Sequence, residues 1–314
     1  MSLSLPSEDT TEDSAEKIAA RARAATRSVA VSAVVNVALA SLQIVAGILT
    51  RSQSLIADGL HSLADLVGDV VVMFASRASR KAADTDHPYG HQRFENAASL
   101  ALGGLLLAVG IGMMLSAVGK INAHESLPPV HPAALWVALG TLVAKELLFR
   151  YMLRVAQSVK SSMLVANAWH ARSDAASSLV VAIGIGGSLM GYPMLDPIAA
   201  LIVGGLITKM GWGFGWDALH DLMDRAADDA EVAAIRETIL ATPGVRGVHD
   251  VHTRKMGDMI IVDAHLEIDA ELTVEAGHTI AVEARDRVLK RHRVLNLMTH
   301  IDPWKRPDRD HSPT

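Results

Sequence analysis

The sequence contains no cysteine. Disulfide bridges and thiolate metal sites are therefore excluded, and histidine and carboxylate side chains remain as the strong metal ligands. Charged residues make up only 20% of the chain, whereas 50% of it is hydrophobic. Residues 1–25 are polar and lack the apolar core of a secretory signal, which predicts a disordered cytosolic tail. The formal net charge of −5 gives no indication of nucleic-acid binding.

The apolar residues are concentrated in six blocks. A membrane-spanning helix needs about 18 or more residues with few charges. The blocks that meet this requirement are 29–49, 54–76, 96–119, 132–153, 163–190 and 194–214. No comparable block follows Trp216. The sequence therefore predicts an α-helical membrane protein with six transmembrane helices over 26–216, a soluble domain over 217–304 and a disordered tail over 305–314.

Lysine and arginine alternate between the predicted loops. Four basic residues precede the first block, four lie between the second and third, and Arg154 and Lys160 lie between the fourth and fifth. The loops between them hold only Arg51 and Lys120. The positive-inside rule expects this alternation for six spans with both termini in the cytosol. We therefore expect a multi-pass protein of the cell (inner) membrane, surrounded by the lipid bilayer.

Two of the predicted spans contain the same pair of metal-ligating residues, His61 with Asp65 and His170 with Asp174. A charged group in the bilayer core costs at least a few kcal/mol, so it indicates a function. Positions i and i+4 share one helix face, about 5–6 Å apart, so each pair can bind one ion. Two such helices facing each other would supply four ligands, which suits tetrahedral zinc. A polar clasp between helices is the alternative.

Other ionisable residues in the spans have less specific patterns. Asp58 and Asp69 share a face of the second span with the first pair, and they could line a hydrated path. Pairing with an arginine, or a position near a helix end, explains these two carboxylates equally well. We expect Lys145 and Glu146 to pair with each other or with neighbouring helices, and Asp196 to cap the sixth helix.

The loop between the second and third spans contains Asp84, His87 and His91 around a Pro-Tyr-Gly turn. These three side chains have the donor atoms for one metal ion. A solvated basic loop that contains a turn is the alternative.

From Asp228 the pattern changes to that of a small soluble domain. The predicted elements, in the order α-β-β-α-β, are 229–241, 245–254, 259–269, 273–291 and 294–302. This order favours a two-layer, ferredoxin-like α+β domain. Histidines and one carboxylate fall in or beside these elements: His249, His265, His278, His300 and Asp302. His300 and Asp302 share a strand face. The histidines could also be ordinary surface residues.

Four segments together resemble the cation diffusion facilitator family. They are 58–65 (Asp-Gly-Leu-His-Ser-Leu-Ala-Asp), 87–91 (His-Pro-Tyr-Gly-His), 170–174 (His-Ala-Arg-Ser-Asp) and 300–303 (His-Ile-Asp-Pro). The resemblance extends over residues 27–304. It implies a homodimer of six-helix protomers that exchanges cytosolic metal ions for protons.

The resemblance also assigns residues to three metal sites. The transport site between the second and fifth helices comprises His61, Asp65, His170 and Asp174. The loop site comprises Asp84, His87 and His91, and the C-terminal site is a binuclear one comprising His249, His265, His278, His300 and Asp302. Arg93 and Asp224 match positions that pair to hold protomers and domains together. Some members carry aspartate at the position of His61. A histidine at this position resembles the zinc-selective branch of the family. Fe²⁺, Cd²⁺, Co²⁺ and Mn²⁺ are the alternative transported metals.

Taken with the resemblance, the sequence predicts a secondary active transporter, not an enzyme, that exports Zn²⁺ in exchange for protons. Zinc would also regulate it through the C-terminal site, and no organic cofactor is expected. One alternative is a membrane metal sensor or scaffold without flux. A membrane-embedded zinc hydrolase often carries His-Glu-x-x-His, which the sequence lacks. A passive channel is disfavoured, because four strong ligands would hold an ion too tightly.

Overall fold

The computed structural model describes residues 8–122, 129–159 and 162–304. Its elements are α1 (Glu8–Thr50), α2 (Gln53–Ser79), α3 (Arg93–Asn122), α4 (Ala133–Ser158), α5 (Ser162–Leu189), α6 (Leu195–Leu222), α7 (Asp229–Leu240), β1 (Val245–Met256), β2 (Met259–Asp269), α8 (Val274–Arg291) and β3 (Val294–Trp304). Each predicted apolar block coincides with one of the first six helices. The predicted tail over 305–314 lies outside the described residues.

The first helix begins earlier than the sequence predicts. Helix α1 starts at Glu8, although residues 1–25 are predicted as a disordered tail. Residues 15–25 are mostly alanine, glutamate, lysine and arginine, which are the strongest helix formers. High helix propensity therefore extends α1 beyond the apolar block that begins at residue 29.

Within the described residues, three helices are both long enough and apolar enough to cross a membrane. They are Thr26–Thr50 of α1, Arg93–Asn122 and Leu195–Leu222. The other three long helices carry ionisable side chains within their apolar stretches. These helices, α2, α4 and α5, are the ones that contain the predicted intramembrane ligands or their neighbours.

The chain forms two compact units. The first comprises Met1–Val70 and Gly104–Trp212. Within it, α4 packs against both α1 and α5. Helix α2 approaches α1 closely at Gly59, where a Cβ atom would lie 2.8 Å from Cγ1 of Ile44 and 3.0 Å from the backbone oxygen of Ala40. Small residues permit such contacts between membrane helices, so Gly59 fixes α2 against α1 next to the predicted ligands.

The second unit comprises Val71–Gly103 and Gly213–Thr314. It differs from the predicted domain over 217–304, because it includes the loop after α2 and the end of α6. Helix α6 continues to Leu222, beyond the predicted boundary at 216. Residues 216–222 (Trp-Asp-Ala-Leu-His-Asp-Leu) include two aspartates and a histidine, so the apolar block ends before the helix does.

The C-terminal part of the second unit is a two-layer α+β structure, as predicted. Its three-stranded sheet has the order β1-β2-β3, with β1 antiparallel and β3 parallel to β2. A turn at Gly257, with φ of 62°, joins β1 to β2, and α8 provides the crossover that a parallel strand requires. The core side chains from both helices and the sheet include Ile239, Val262, Leu266 and Val288. Burying each contributes about 1.5–3 kcal/mol.

Candidate metal centres

Three predicted ligands of the transport site converge in the first unit. One donor atom each from His61, Asp65 and Asp174 lies within 4.8 Å of the other two. Nδ1 of His61 is 3.6 Å from Oδ2 of Asp65. Ligand atoms that each lie about 2.1 Å from a tetrahedral zinc ion are about 3.4 Å apart. Nδ1 of His61 is buried and has no hydrogen-bond partner among the described residues, so this geometry fits a metal ion.

The fourth predicted ligand lies at the edge of this group. Nε2 of His170 is 4.0 Å from Oδ2 of Asp174, and the His170 side chain is 62% exposed. It is not part of the group whose donor atoms lie within 4.8 Å of one another. His170 would therefore have to move closer to join the other three ligands.

Asp58 forms a separate buried network. Its carboxylate is completely buried. Ser177 Oγ donates to Oδ1 at 2.8 Å, and Ser178 Oγ donates to Oδ2 at 2.5 Å. Gln43 Nε2 also donates to Oδ2, and Lys145 Nζ lies 3.6 Å from Oδ1. In this structure Asp58 therefore joins α1, α2, α4 and α5.

The accessibility of the polar residues increases along α2. Asp58 is buried, His61 is 8% exposed, Asp65 is half-buried and Asp69 is exposed. The transport site is therefore closed on the side of Asp58 and more open on the side of Asp69.

Glu146 of α4 pairs with Arg150 on the same helix and with Arg172 of α5, rather than with Lys145. Glu146 accepts a hydrogen bond from Arg150 at 2.8 Å and lies 3.9 Å from Nε of Arg172. The Arg172 guanidinium also stacks over the rings of Phe149 and Trp169, at 4.8 and 5.2 Å from their centroids. Arg172 thus pairs with Glu146, not with Asp58.

The loop site is assembled within the second unit. Donor atoms of Asp84, His87 and His91 lie within 4.8 Å of one another, and each histidine has a ring nitrogen 3.5 Å from Asp84. Lys81 Nζ donates to Asp84 at 2.7 Å and the backbone N–H of His87 donates at 2.8 Å. The hydrogen bond from Lys81, and then that from His87, hold the pKa of Asp84 well below its usual range.

The C-terminal site is a row of histidines across the sheet. The register pairs His249 with His265 and His265 with His300. Asp302 lies among them: its Oδ2 is 2.9 Å from Nδ1 of His265 and 3.1 Å from Nε2 of His249, and its Oδ1 is 3.4 Å from Nε2 of His300. Four of the five predicted residues of this site therefore meet.

The fifth predicted residue, His278, lies on the exposed surface of α8 and belongs to none of the groups found among the described residues. Instead Asp250, which the sequence does not single out, groups with His249 and His265. Strict alternation would place Asp250 on the opposite face from His249. A register shift between His249 and His252, with φ of 47° at Asp250, brings the carboxylate to the histidines.

Arg93 and Asp224 form an ion pair within the second unit. That this pair holds protomers and domains together stays a prediction. Arg93 Nη2 donates to Oδ1 of Asp224, and Arg93 Nε also contacts Sδ of Met256 at 3.3 Å. Asp224 has φ of 61°, a left-handed conformation in which aspartate and asparagine are enriched.

Comparison with known proteins identifies the class to which this fold and these sites belong. Residues 29–223 match the family model described as the cation efflux transmembrane domain. Residues 227–304 match the cation efflux protein, cytoplasmic domain. The first match extends over all six long helices, so the chain is a membrane protein, and its prediction as a six-helix membrane domain with a C-terminal α+β domain is confirmed. The chain belongs to the cation efflux family, the cation diffusion facilitators, which are divalent metal transporters and not enzymes.

Individual relatives agree with this assignment. The chain is 36% identical to metal tolerance protein 2 of Oryza sativa subsp. japonica, over 82% of this chain and 73% of that protein. It is 36% identical to the uncharacterized transporter YdbO of Bacillus subtilis (strain 168), over 85% of this chain and 91% of YdbO. It is 33% identical to the manganese efflux system protein MneS of the same organism, over 87% of this chain and 93% of MneS.

Proposed function

We propose that this protein exports Zn²⁺ from the cytosol in exchange for protons. The observation that carries the proposal is the convergence of His61, Asp65 and Asp174 within the helical domain. Metal ligation requires deprotonated carboxylates and neutral imidazoles, so binding of the ion releases protons. Histidine changes charge between about pH 5 and 8, which suits it to this exchange. Protons that arrive from the other side of the membrane then displace the ion.

Zinc is favoured over manganese by the imidazole ligands. Imidazole suits zinc, whereas carboxylate, carbonyl and water oxygens suit manganese. His61 supplies one imidazole directly, and His170 is near enough to Asp174 to supply a second. The similarity to a manganese efflux protein makes Mn²⁺ the second candidate.

The orientation follows from charge and accessibility. The basic loops and both termini lie in the cytosol of a cell (inner) membrane protein, which agrees with the description of the second family domain as cytoplasmic. Helix α2 then runs inward, so its open end near Asp69 faces the cytosol and its closed end near Asp58 faces outward. This accessibility suits loading of the transport site from the cytosol, with Asp69 on the entry path.

The protein acts as a homodimer that senses cytosolic metal. Zinc bound by His249, His265, His300 and Asp302 would stabilise one arrangement of the C-terminal domains and so shift the population of transport-competent dimers. The loop site at Asp84, His87 and His91 would bind a further metal ion.

The test is zinc uptake into proteoliposomes with and without a pH gradient. We expect gradient-driven flux in the wild type and its loss in Asp174→Ala, because one ligand is removed. Asp286→Ala, an exposed carboxylate on α8, is the matched control and should transport normally. His61→Asp should gain Cd²⁺ transport if His61 determines selectivity. Zinc binding without gradient-driven flux in the wild type would favour a metal sensor. Faster flux of Mn²⁺ than of Zn²⁺ would indicate that Mn²⁺ is the transported ion.

A further inference from the structure

Lys145 is a buried cation inside the helical domain. Its side chain is only 4% exposed, and Nζ lies 3.6 Å from Oδ1 of Asp58. Its other partners are also oxygen atoms, because Nζ donates to Ser62 Oγ at 3.1 Å and to the backbone oxygen of Asp174 at 3.5 Å. The ammonium group on α4 is therefore surrounded by oxygens from α2 and α5.

Two serine hydroxyls complete this polar environment. Ser177 Oγ lies within hydrogen-bond distance of both Oδ1 of Asp58, at 2.8 Å, and the backbone oxygen of Asp174, at 2.7 Å. Ser178 Oγ donates to the other carboxylate oxygen of Asp58. Asp58 is the only carboxylate that Lys145 pairs with in the described part of the chain, so the network is electrically neutral.

Two further buried oxygens, on α1 and α4, have no hydrogen-bond partner among the described residues. One is Oε1 of Gln43, whose Nε2 donates to Asp58. The other is Oγ1 of Thr141, one helical turn before Lys145 on the same face of α4. Both side chains are buried. A buried oxygen without a partner is costly, and a cation would satisfy it.

We propose that Lys145 is a tethered replacement for a bound monovalent cation, and that removing its ammonium group creates a Na⁺ site at Asp58. Hard cations bind to carboxylate, carbonyl and hydroxyl oxygens, which are the atoms that surround Nζ. A single carboxylate balances one positive charge, which favours a monovalent ion over a divalent one. In the wild type the ammonium occupies this position permanently, so metal transport does not depend on Na⁺.

The test compares melting temperatures of the purified full-length protein in NaCl and in choline chloride at equal ionic strength. Na⁺ in about tenfold excess over its dissociation constant should raise the Tm of Lys145→Ala by roughly 3–6 °C. The wild type should not respond. The double variant Lys145→Ala with Asp58→Asn should not respond either, because it lacks the carboxylate that binds the cation. An equal Tm of Lys145→Ala in both salts overturns the proposal.

A second variant covers the case in which Lys145→Ala does not fold. Lys145→Ser leaves room for an ion and adds a hydroxyl ligand, so it should be stable in NaCl. If neither single variant can be purified in NaCl while the double variant can, Na⁺ does not replace the ammonium and the proposal is wrong. These measurements do not require metal flux, so they remain decisive even if the wild type fails to transport zinc.

Discussion

The carboxylate of Asp196, the second residue of α6, accepts a hydrogen bond from Ser52 Oγ at 2.7 Å. It also accepts hydrogen bonds from Ser54 Oγ at 2.5 Å and from the backbone N–H of Gln53 at 2.7 Å. Because Gln53 is the first residue of α2, one helix supplies the N-terminal cap of another. The sequence predicts a cap at Asp196, but it assigns that cap to α6.

We expect Asp196→Ala to destabilise the protein. The substitution leaves the Ser52 and Ser54 hydroxyls and the backbone amides of Gln53 and Ser54 without this acceptor. Each unsatisfied buried group costs about 1–3 kcal/mol. The melting temperature in detergent should therefore fall, with Asp196→Asn intermediate because its amide oxygen still accepts. Asp286→Ala provides the baseline for loss of an exposed carboxylate, and a Tm equal to that baseline would refute the cap.

The two histidines of the transport site should differ in importance. His61 is buried within the three-residue group, whereas His170 is largely exposed and outside it. We expect His61→Ala to weaken zinc binding and flux more than His170→Ala does. Flux in proteoliposomes and zinc titration of the purified variants measure this order. Equal losses in both variants would mean that His170 joins the site fully when zinc binds.

Acid release of metal from the loop site should depend on its histidines. A carboxyl group with a lowered pKa stays ionised as the pH falls, so Asp84 keeps its negative charge to a lower pH than an ordinary carboxyl group does. Histidine side chains in general change charge between about pH 5 and 8. We expect Asp84→Asn to weaken zinc binding at this site and therefore to raise the pH midpoint of release, because protons displace a weakly bound ion at a higher pH. The measurement requires full-length protein carrying Asp65→Ala and Asp302→Ala, which disable the other two sites. An unchanged zinc affinity and an unchanged midpoint would show that Asp84 is not a ligand of the ion.

In the C-terminal site, Asp302 and His278 provide a matched contrast. Asp302 lies within reach of three histidines, whereas His278 is exposed on α8. We expect Asp302→Ala to lower the number of zinc ions bound at equilibrium dialysis, and His278→Ala to leave it unchanged. Loss of zinc in His278→Ala would indicate that a second copy of the chain brings this residue into the site.

The Arg93–Asp224 pair should contribute little to the stability of one chain. Both side chains are partly exposed, and such pairs contribute about 0.2–1 kcal/mol. A double-mutant cycle with Arg93→Gln and Asp224→Asn should yield a coupling energy in this range; asparagine tolerates the left-handed backbone at Asp224. Size-exclusion chromatography with light scattering then tests the dimer. A larger proportion of monomer in both single variants would show that the pair acts between protomers.

Much of the fold can be predicted because the membrane and the sheet impose regular patterns. A span must be long and apolar, so the six blocks locate α1 to α6, and period-two alternation locates β1 to β3. The four-residue spacing of His61 and Asp65 is sufficient to place both side chains on one helix face. Features that follow from local spacing were therefore predictable.

Features that depend on tertiary contacts could not be predicted from the sequence. Lys145 and Asp58 are far apart in the chain, and nothing in the local sequence indicates that they pair. The bulge that brings Asp250 to His249 breaks the alternation on which strand prediction depends. His170 lies beyond the three-residue group, which its spacing from Asp174 does not predict.

The row of His249, His265 and His300 has a consequence for how the domain folds. Sliding β1 or β3 by one residue along β2 would turn His249 or His300 to the opposite face of the sheet. Only the native alignment places all three imidazoles beside Asp302. If this row binds a metal ion, as we propose, the ion would stabilise the native strand alignment relative to slipped pairings and so favour correct folding of the sheet.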